Sequence, residues 1–211
     1  ASALITGVAT PTGPRTLAEH EVAVSGAAVD AGTNDVGIWG DYIAALISDR
    51  QFARASRIIA EGRASLDDSK TAEFSLAEAR LYTGQKQYQN AITAAEKTKK
   101  QVKDAYDAQI AQGGVVASTA KLSGMPENYY NAVLVEAEAY RSLKDWKNAI
   151  AQYDAYIKAN GGASDILIDR GNVKIEAGDN AGAEKDFKEA LRFVPDDAEA
   201  LAGLKKIGAA Q

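Results

Sequence analysis

Ala149, Tyr153 and Tyr156 are echoed 34 residues later by Ala183, Phe187 and Ala190. Recurrence at this interval restricts the fold sharply, because a unit so short cannot bury an apolar face alone and must stack on its neighbours as a solenoid. The later copy, Ser164–Asp197, also carries Gly171, Gly178, Asp179 and Pro195, and the earlier one, Tyr130–Ala163, carries Ala137, Tyr140 and Trp146. Two further stretches fit the frame. Ala72–Ala105 supplies Ala79, Tyr82, Tyr88 and Ala91, and Val36–Ser69 supplies Trp39, Phe52 and Ala55. Ala55 precedes Ala91 by 36 residues and Ala91 precedes Ala149 by 58, so the spacing predicts four units with one insertion between the second and third.

Each unit reads as a helix pair. Trp146, Ala149, Ile150 and Tyr153 recur at three and four residues and form one helical stripe, which Tyr156 and Ile157 continue. An alanine where two helices cross lets the axes approach closely, and a charge there would be buried without a partner. Leu143-Lys144-Asp145 and Ala177-Gly178-Asp179 read as the turns inside units, and Asn160-Gly161-Gly162 as a helix end. Pro195-Asp196-Asp197 opens a last helix, residues 198–208, with Leu201, Leu204 and Ile207 inward and Lys205 and Lys206 on a polar outer face.

Taken together, Trp39, Ala55, Tyr82, Ala91, Tyr140, Trp146, Ala149, Tyr153, Gly171, Ala183, Phe187, Ala190 and Pro195 resemble the signature of the tetratricopeptide repeat, a helix–turn–helix unit with small residues at the helix crossing and an aromatic beside them. The resemblance implies an all-α fold, a right-handed α-α superhelix closed by a C-terminal capping helix. Arg170, Lys174, Ala95, Thr98 and Gly62 depart from the pattern, which predicts looser packing in the outer repeats.

Outside the repeats, residues 1–15 read as a linker or tail and residues 16–35 as an N-terminal helix, opened by Thr16-Leu17-Ala18-Glu19 as a capping box and lined by Leu17, His20, Val24 and Ala28. Val22, Val24 and Val29 support a competing strand. The helical domain then fills residues 36–211, with repeats at 36–69, 72–105, 130–163 and 164–197 and an inserted helix extension and loop at 106–129. No Gly or Pro interrupts Ala91–Gln112, which predicts one long helix, followed by a loop from Gly113 to Pro126. The apolar start Ala1-Ser2-Ala3-Leu4-Ile5 favours the end of a trimmed signal or anchor and an extracytoplasmic soluble domain; a cytoplasmic protein with a flexible tail is the alternative.

Several function classes lose support. A single histidine, His20, rules out two-histidine metal motifs and reads as a half-buried side chain rather than a general base. No cysteine is present, no serine sits in a nucleophile elbow, and Gly113-Gly114 and Gly161-Gly162 lack the remainder of a phosphate loop. No catalytic residue, metal or cofactor is therefore expected, and the chain reads as a non-enzyme. A net charge of −5 argues against nucleic acid as the main partner, and no stretch reaches the ~20 apolar residues of a membrane span. Lys97, Lys99, Lys100 and Lys103 alternate with Glu96, Asp104 and Asp107 and read as a solvated helix face.

By resemblance, the first helix of each repeat lines a concave groove that takes a peptide or partner helix. The register places Gly40 and Ala44, then Glu73, Leu76 and Arg80, then Asn131, Leu134, Glu138 and Arg141, then Asp165, Ile168, Asn172 and Glu176 along it. Gly40, Leu76, Leu134 and Ile168 stand where some relatives carry a lysine-based carboxylate clamp, which counts against chaperone-tail binding. Arg80 and Arg141 suit a carboxylate and Asn131 and Asn172 a peptide backbone, with Glu138 and Glu176 completing the candidates. An intrahelical Glu138–Arg141 pair is the plainer reading of those two. The expected function is a protein-binding adaptor. The alternatives are an assembly subunit that self-associates through its ends or the inserted helix, and the regulatory domain of a larger protein.

Overall fold

The computed structural model describes residues 17–66, 72–112 and 125–208. The N-terminal linker and the loop from Gly113 onward lie largely or wholly outside these residues. Ten helices and no strand occur among the described residues. They are α1 (Leu17–Asp30), α2 (Val36–Ser48), α3 (Phe52–Leu66), α4 (Glu73–Gly84), α5 (Tyr88–Gln112), α6 (Glu127–Ser142), α7 (Trp146–Asn160), α8 (Ser164–Glu176), α9 (Asn180–Phe193) and α10 (Ala198–Lys206).

Helices α2 to α9 pack as successive hairpins, α2 on α3, α4 on α5, α6 on α7 and α8 on α9. First helices also meet one another, α2 on α4 and α4 on α6, so the hairpins stack into an α-α superhelix. One turn serves all four hairpins. Arg50, Lys86, Lys144 and Gly178 take φ of 58°, 61°, 60° and 85°. The next residue's N–H then reaches back along the chain, Gln51 to Leu46, Gln87 to Tyr82, Asp145 to Tyr140 and Asp179 to Lys174, at 2.8–2.9 Å. This is the left-handed helix stop that satisfies otherwise orphaned carbonyls. Asp145 and Asp179 then cap the following helices, accepting from the N–H groups of Asn148 and Gly182.

Five residues past each left-handed residue stands the crossing alanine, and Ala55, Ala91, Ala149 and Ala183 are all fully buried. Around them runs a chain of apolar clusters, each shared between neighbouring hairpins. Trp39, Ile43, Ile59 and Phe74 join the first two, and Leu76, Ala91, Ala95 and Val135 the second and third. Ala137, Tyr153, Ile166 and Val173 join the third to the fourth. Phe187, Ala190 and Leu204 seat α10, where a methyl on Gly203 would stand 2.4 Å from the Phe187 ring. Helix α10 thus closes the C-terminal end, with Lys205 and Lys206 exposed.

Three expectations need correction. The outer repeats are not loose. Gly62 packs so closely that a Cβ would lie 2.3 Å from Phe74 and 2.9 Å from Trp39, and those rings meet edge to face at 6.2 Å. Arg170 and Lys174 hold a closed ion cluster instead of a gap: Arg170 binds Asp186 at 2.6 Å and Asp154 at 2.7 Å, and Lys174 binds Asp186 at 2.7 Å. In α1 the inward face is Val22, Gly26 and Val29, whereas His20 and Val24 are exposed. Gly26 sets that rotation by admitting the Tyr42 ring, 3.0 Å from where a Cβ would stand. Finally, the α5 lysines divide. Lys100 and Lys103 pair with Asp104 and Asp107 one turn on, but Lys99 binds the buried Glu136 of α6 at 2.7 Å. Burial raises the Glu136 carboxyl above its ordinary range, and Lys99 only partly opposes this.

Candidate functional site

Among the described residues, a cleft of about 450 Å³ lies between α4, α6, α7 and α8. Arg80 comes from α4; Asn131, Leu134, Val135, Glu138 and Arg141 from α6; Tyr153 from α7; and Ile166 and Asp169 from α8. Asn131, Leu134, Glu138 and Arg141 fall on one stripe of α6 because residues three and four apart share a helix face. Near the start of the face, Asn128 donates to Glu73 at 2.8 Å across α6 and α4. Glu73 in turn fills the space beside Gly40, where a Cβ would lie 2.6 Å from its oxygen.

Of the sequence candidates, the structure brings Arg80, Asn131, Glu138 and Arg141 together around this cleft. Glu176 joins them indirectly. Arg141 grips it through two nitrogens, with Nη2 at 2.5 Å and Nε at 3.1 Å from Oε1, and this bonding holds the guanidinium pKa above its ordinary value. The plainer intrahelical reading is thereby overturned: Arg141 pairs across to α8, not with Glu138. Asn172 lies on α8 outside the lining, half-buried. Leu76 and Ile168, placed in the groove by the repeat register, are 1% and 3% exposed and belong to the core.

Four lining residues were missed, namely Val135, Tyr153, Ile166 and Asp169. For Asp169 a signal existed, since Asp165, Asp169, Asn172 and Glu176 recur at four and three residues along α8. Tyr153 was legible only as packing. It is 4% exposed, yet its hydroxyl makes no hydrogen bond among the described residues, and the charges acting on it are those of Asp169, Arg141, Glu138 and Glu176. Burial, then Asp169, pushes that phenol's pKa upward, keeping it a neutral O–H.

Glu138 and Asp169 make neither a hydrogen bond nor an ion pair among the described residues. Both carboxyls are raised above their ordinary range, first by burial. Repulsion from Asp169 adds to the rise at Glu138, and Asp165 and Glu199 add to it at Asp169, with Arg141 opposing in each case. The C-terminal part of the face is thus acidic: Glu138, Asp165, Asp169, Glu176 and Glu199 outnumber Arg141. Among the described residues Arg80 carries no ion pair, and it faces the same cleft from α4.

A second hollow of about 550 Å³ lies between α3 and α4, but Arg63 and Glu78 on its wall are paired at 2.9 Å. Among the described residues no group of three or more histidine, cysteine, aspartate or glutamate side chains is arranged to hold a metal. Nor is any described helix long and apolar enough to cross a membrane.

No protein-family profile and no curated protein matches the chain. Solved structures do match. A thermophilic TPR protein of Thermus thermophilus aligns over 88% of this chain and 88% of its own, with a TM-score of 0.61 and 12% identity. The chain has the tetratricopeptide-repeat fold. MamA protein aligns over 90% of this chain and 86% of its own, with a TM-score of 0.52 and 18% identity. At such identities the likeness fixes the tetratricopeptide-repeat architecture, and the contents of the cleft are this chain's own.

Proposed function

We propose that the chain is a non-enzymatic protein-interaction module that holds an extended segment of a partner protein in the cleft between α4, α6, α7 and α8. One observation carries this reading. Ion pairs elsewhere in the molecule are made within the chain, whereas in the cleft Arg80, Asn131, Glu138, Asp169 and Tyr153 line one hollow with no side-chain bond to any described residue. Glu138 is open to solvent and Arg80, Asn131 and Asp169 are half-buried, so each can bond a segment laid along the cleft without first breaking a contact inside the chain. Asn131 and Arg80 suit the carbonyls of an extended backbone, and the acidic lining disfavours nucleic acid. Arg141 is committed to Glu176 and so is not the carboxylate anchor that its position alone suggests.

The test is site-specific photocrosslinking in extract of the source cells. Benzoylphenylalanine replaces Asn131 in one variant and Lys188, on the exposed side of α9, in another. A discrete adduct formed from position 131 and absent from position 188 is expected. Equal labelling at both, or labelling from 188 alone, would move the interaction off the cleft.

Self-association is the second reading, and one observation favours it: Phe193 and Val194 at the end of α9 are 57% and 44% exposed. Sedimentation of the wild type beside Phe193→Ser separates the two. A dimer lost on that substitution would support assembly through this end.

A further inference from the structure

We propose that Tyr153, Glu138 and Asp169 form a subsite for a lysine or arginine side chain of the bound segment, so that the partner is recognised through a basic residue. This rests on the cleft being the binding face. Two independent observations meet here. One is the charge distribution: Glu138 and Asp169 reach the same hollow from α6 and α8 with no cation bonded to either, and Asp165 and Glu199 deepen the negative potential around Asp169. The cation acting on both, Arg141, is held by Glu176.

The other is Tyr153 itself. One repeat later its place is taken by Phe187, which is fully buried without a hydroxyl, and in the second repeat by Ala95. Packing at this position therefore does not require the phenol oxygen. Yet Tyr153 is buried apart from the part that lines the cleft, and its hydroxyl has no hydrogen-bond partner among the described residues. A neutral phenol beside two carboxylates offers an acceptor lone pair to an ammonium or guanidinium group, and its ring offers a wall for the aliphatic stem. A carboxylate-bearing ligand would meet Glu138 and Asp169 at close range, which is repulsive.

The test uses pools of fluorescent peptides about ten residues long, random except at one central position fixed as lysine, norleucine or glutamate, with both termini blocked. Norleucine keeps the stem and removes the amine. Fluorescence anisotropy is expected to show the lysine pool binding the wild type about tenfold more tightly than the norleucine pool, weakening with added salt. That preference should vanish in the Glu138→Gln, Asp169→Asn variant and fall severalfold in Tyr153→Phe, with melting curves reporting that both variants are folded. Equal binding of all pools or a preference for glutamate would overturn the subsite and leave the cleft reading standing. Binding by no pool would overturn both.

Discussion

Tyr153 and Asp154 are consecutive on α7, and Asp169 and Arg170 are consecutive on α8, yet they belong to two charged clusters with opposite characters. Consecutive helical residues point roughly 100° apart, so one pair of helices presents both clusters on different faces. In the first, Arg170 sits between Asp154 and Asp186, and Lys174 also reaches Asp186, so each charge has its counterpart. Burial works against the Arg170 charge, but its bonds to the two aspartates outweigh that and raise its pKa. In the second, Glu138, Asp169 and Tyr153 share a hollow with no bonded partner. A completed cluster holds a fold together. An incomplete one is a cost borne by the isolated chain, and the contrast shows where a ligand has something to complete.

The largest effect should come from breaking the closed cluster. Asp186 is 5% exposed and accepts from both Arg170 and Lys174, so Asp186→Ala leaves two half-buried cations without their shared acceptor. Removing one partner of a buried pair costs about 3 kcal/mol or more. Urea unfolding followed by circular dichroism should show that loss, whereas Asp154→Ala, at a 56% exposed position, should cost under about 1 kcal/mol. Equal losses for the two would mean that the cluster is not organised around Asp186.

Next in size is the strut between α6 and α8. The Arg141–Glu176 pair is about a third exposed on both sides, which limits its worth. Glu176→Gln should therefore lower stability by no more than about 1 kcal/mol, and it should release Arg141 into the cleft. The sharper readout is binding: with Arg141 freed next to Glu138 and Asp169, the tenfold advantage of lysine peptides should shrink. An unchanged preference would show that Arg141 stays where Glu176 now holds it.

Smaller, and opposite in sign, is the effect of neutralising the open cluster. Glu138 and Asp169 have folded-state pKa values above their ordinary 4.5 and 3.8, so the folded chain binds their protons more tightly than the unfolded one. Their contribution is most favourable below those ordinary values and is lost as pH rises through the raised ones. Glu138→Gln, Asp169→Asn should accordingly match the wild type in acid and melt slightly higher at neutral pH, by on the order of 1 °C given the solvent access of Glu138. Thermal melts across that range check the sign. A variant less stable at neutral pH would show that the carboxylates support the fold.

The same contrast explains how much was legible in the sequence. Ala55, Ala91, Ala149 and Ala183 mark the hairpins because crossing geometry demands a small residue once per unit, and demand at a fixed period is visible in a string of letters. The turn is less so. Gly178 advertises its positive φ, but Arg50, Lys86 and Lys144 adopt the same conformation with ordinary side chains, held there by backbone bonds that no residue type announces. In the cleft, Arg80, Asn131, Glu138 and Arg141 followed from the repeat register that the resemblance supplies. Leu76 and Ile168 did not: Leu134, at the same place in its own repeat, lines the cleft, whereas these two are buried under their neighbours. Pairs such as Arg141 with Glu176 or Lys99 with Glu136 join residues 35 and 37 apart, on helices whose mutual rotation only packing sets.

The smallest expected effect is the most discriminating. Removing a buried tyrosine's hydroxyl normally forfeits a hydrogen bond worth about 1 kcal/mol. Tyr153 has no such bond, and Phe187 shows that the equivalent place one repeat on is satisfied by a bare ring. Tyr153→Phe should therefore change stability by less than about 0.5 kcal/mol in urea unfolding, within the range of a neutral substitution. A loss near the usual hydrogen-bond value would mean that the hydroxyl serves the fold through a bound water, and would place Tyr153 with the closed cluster. Unchanged stability together with weakened lysine-peptide binding is the outcome that separates the two clusters by role, since the atom removed then serves the ligand and not the fold.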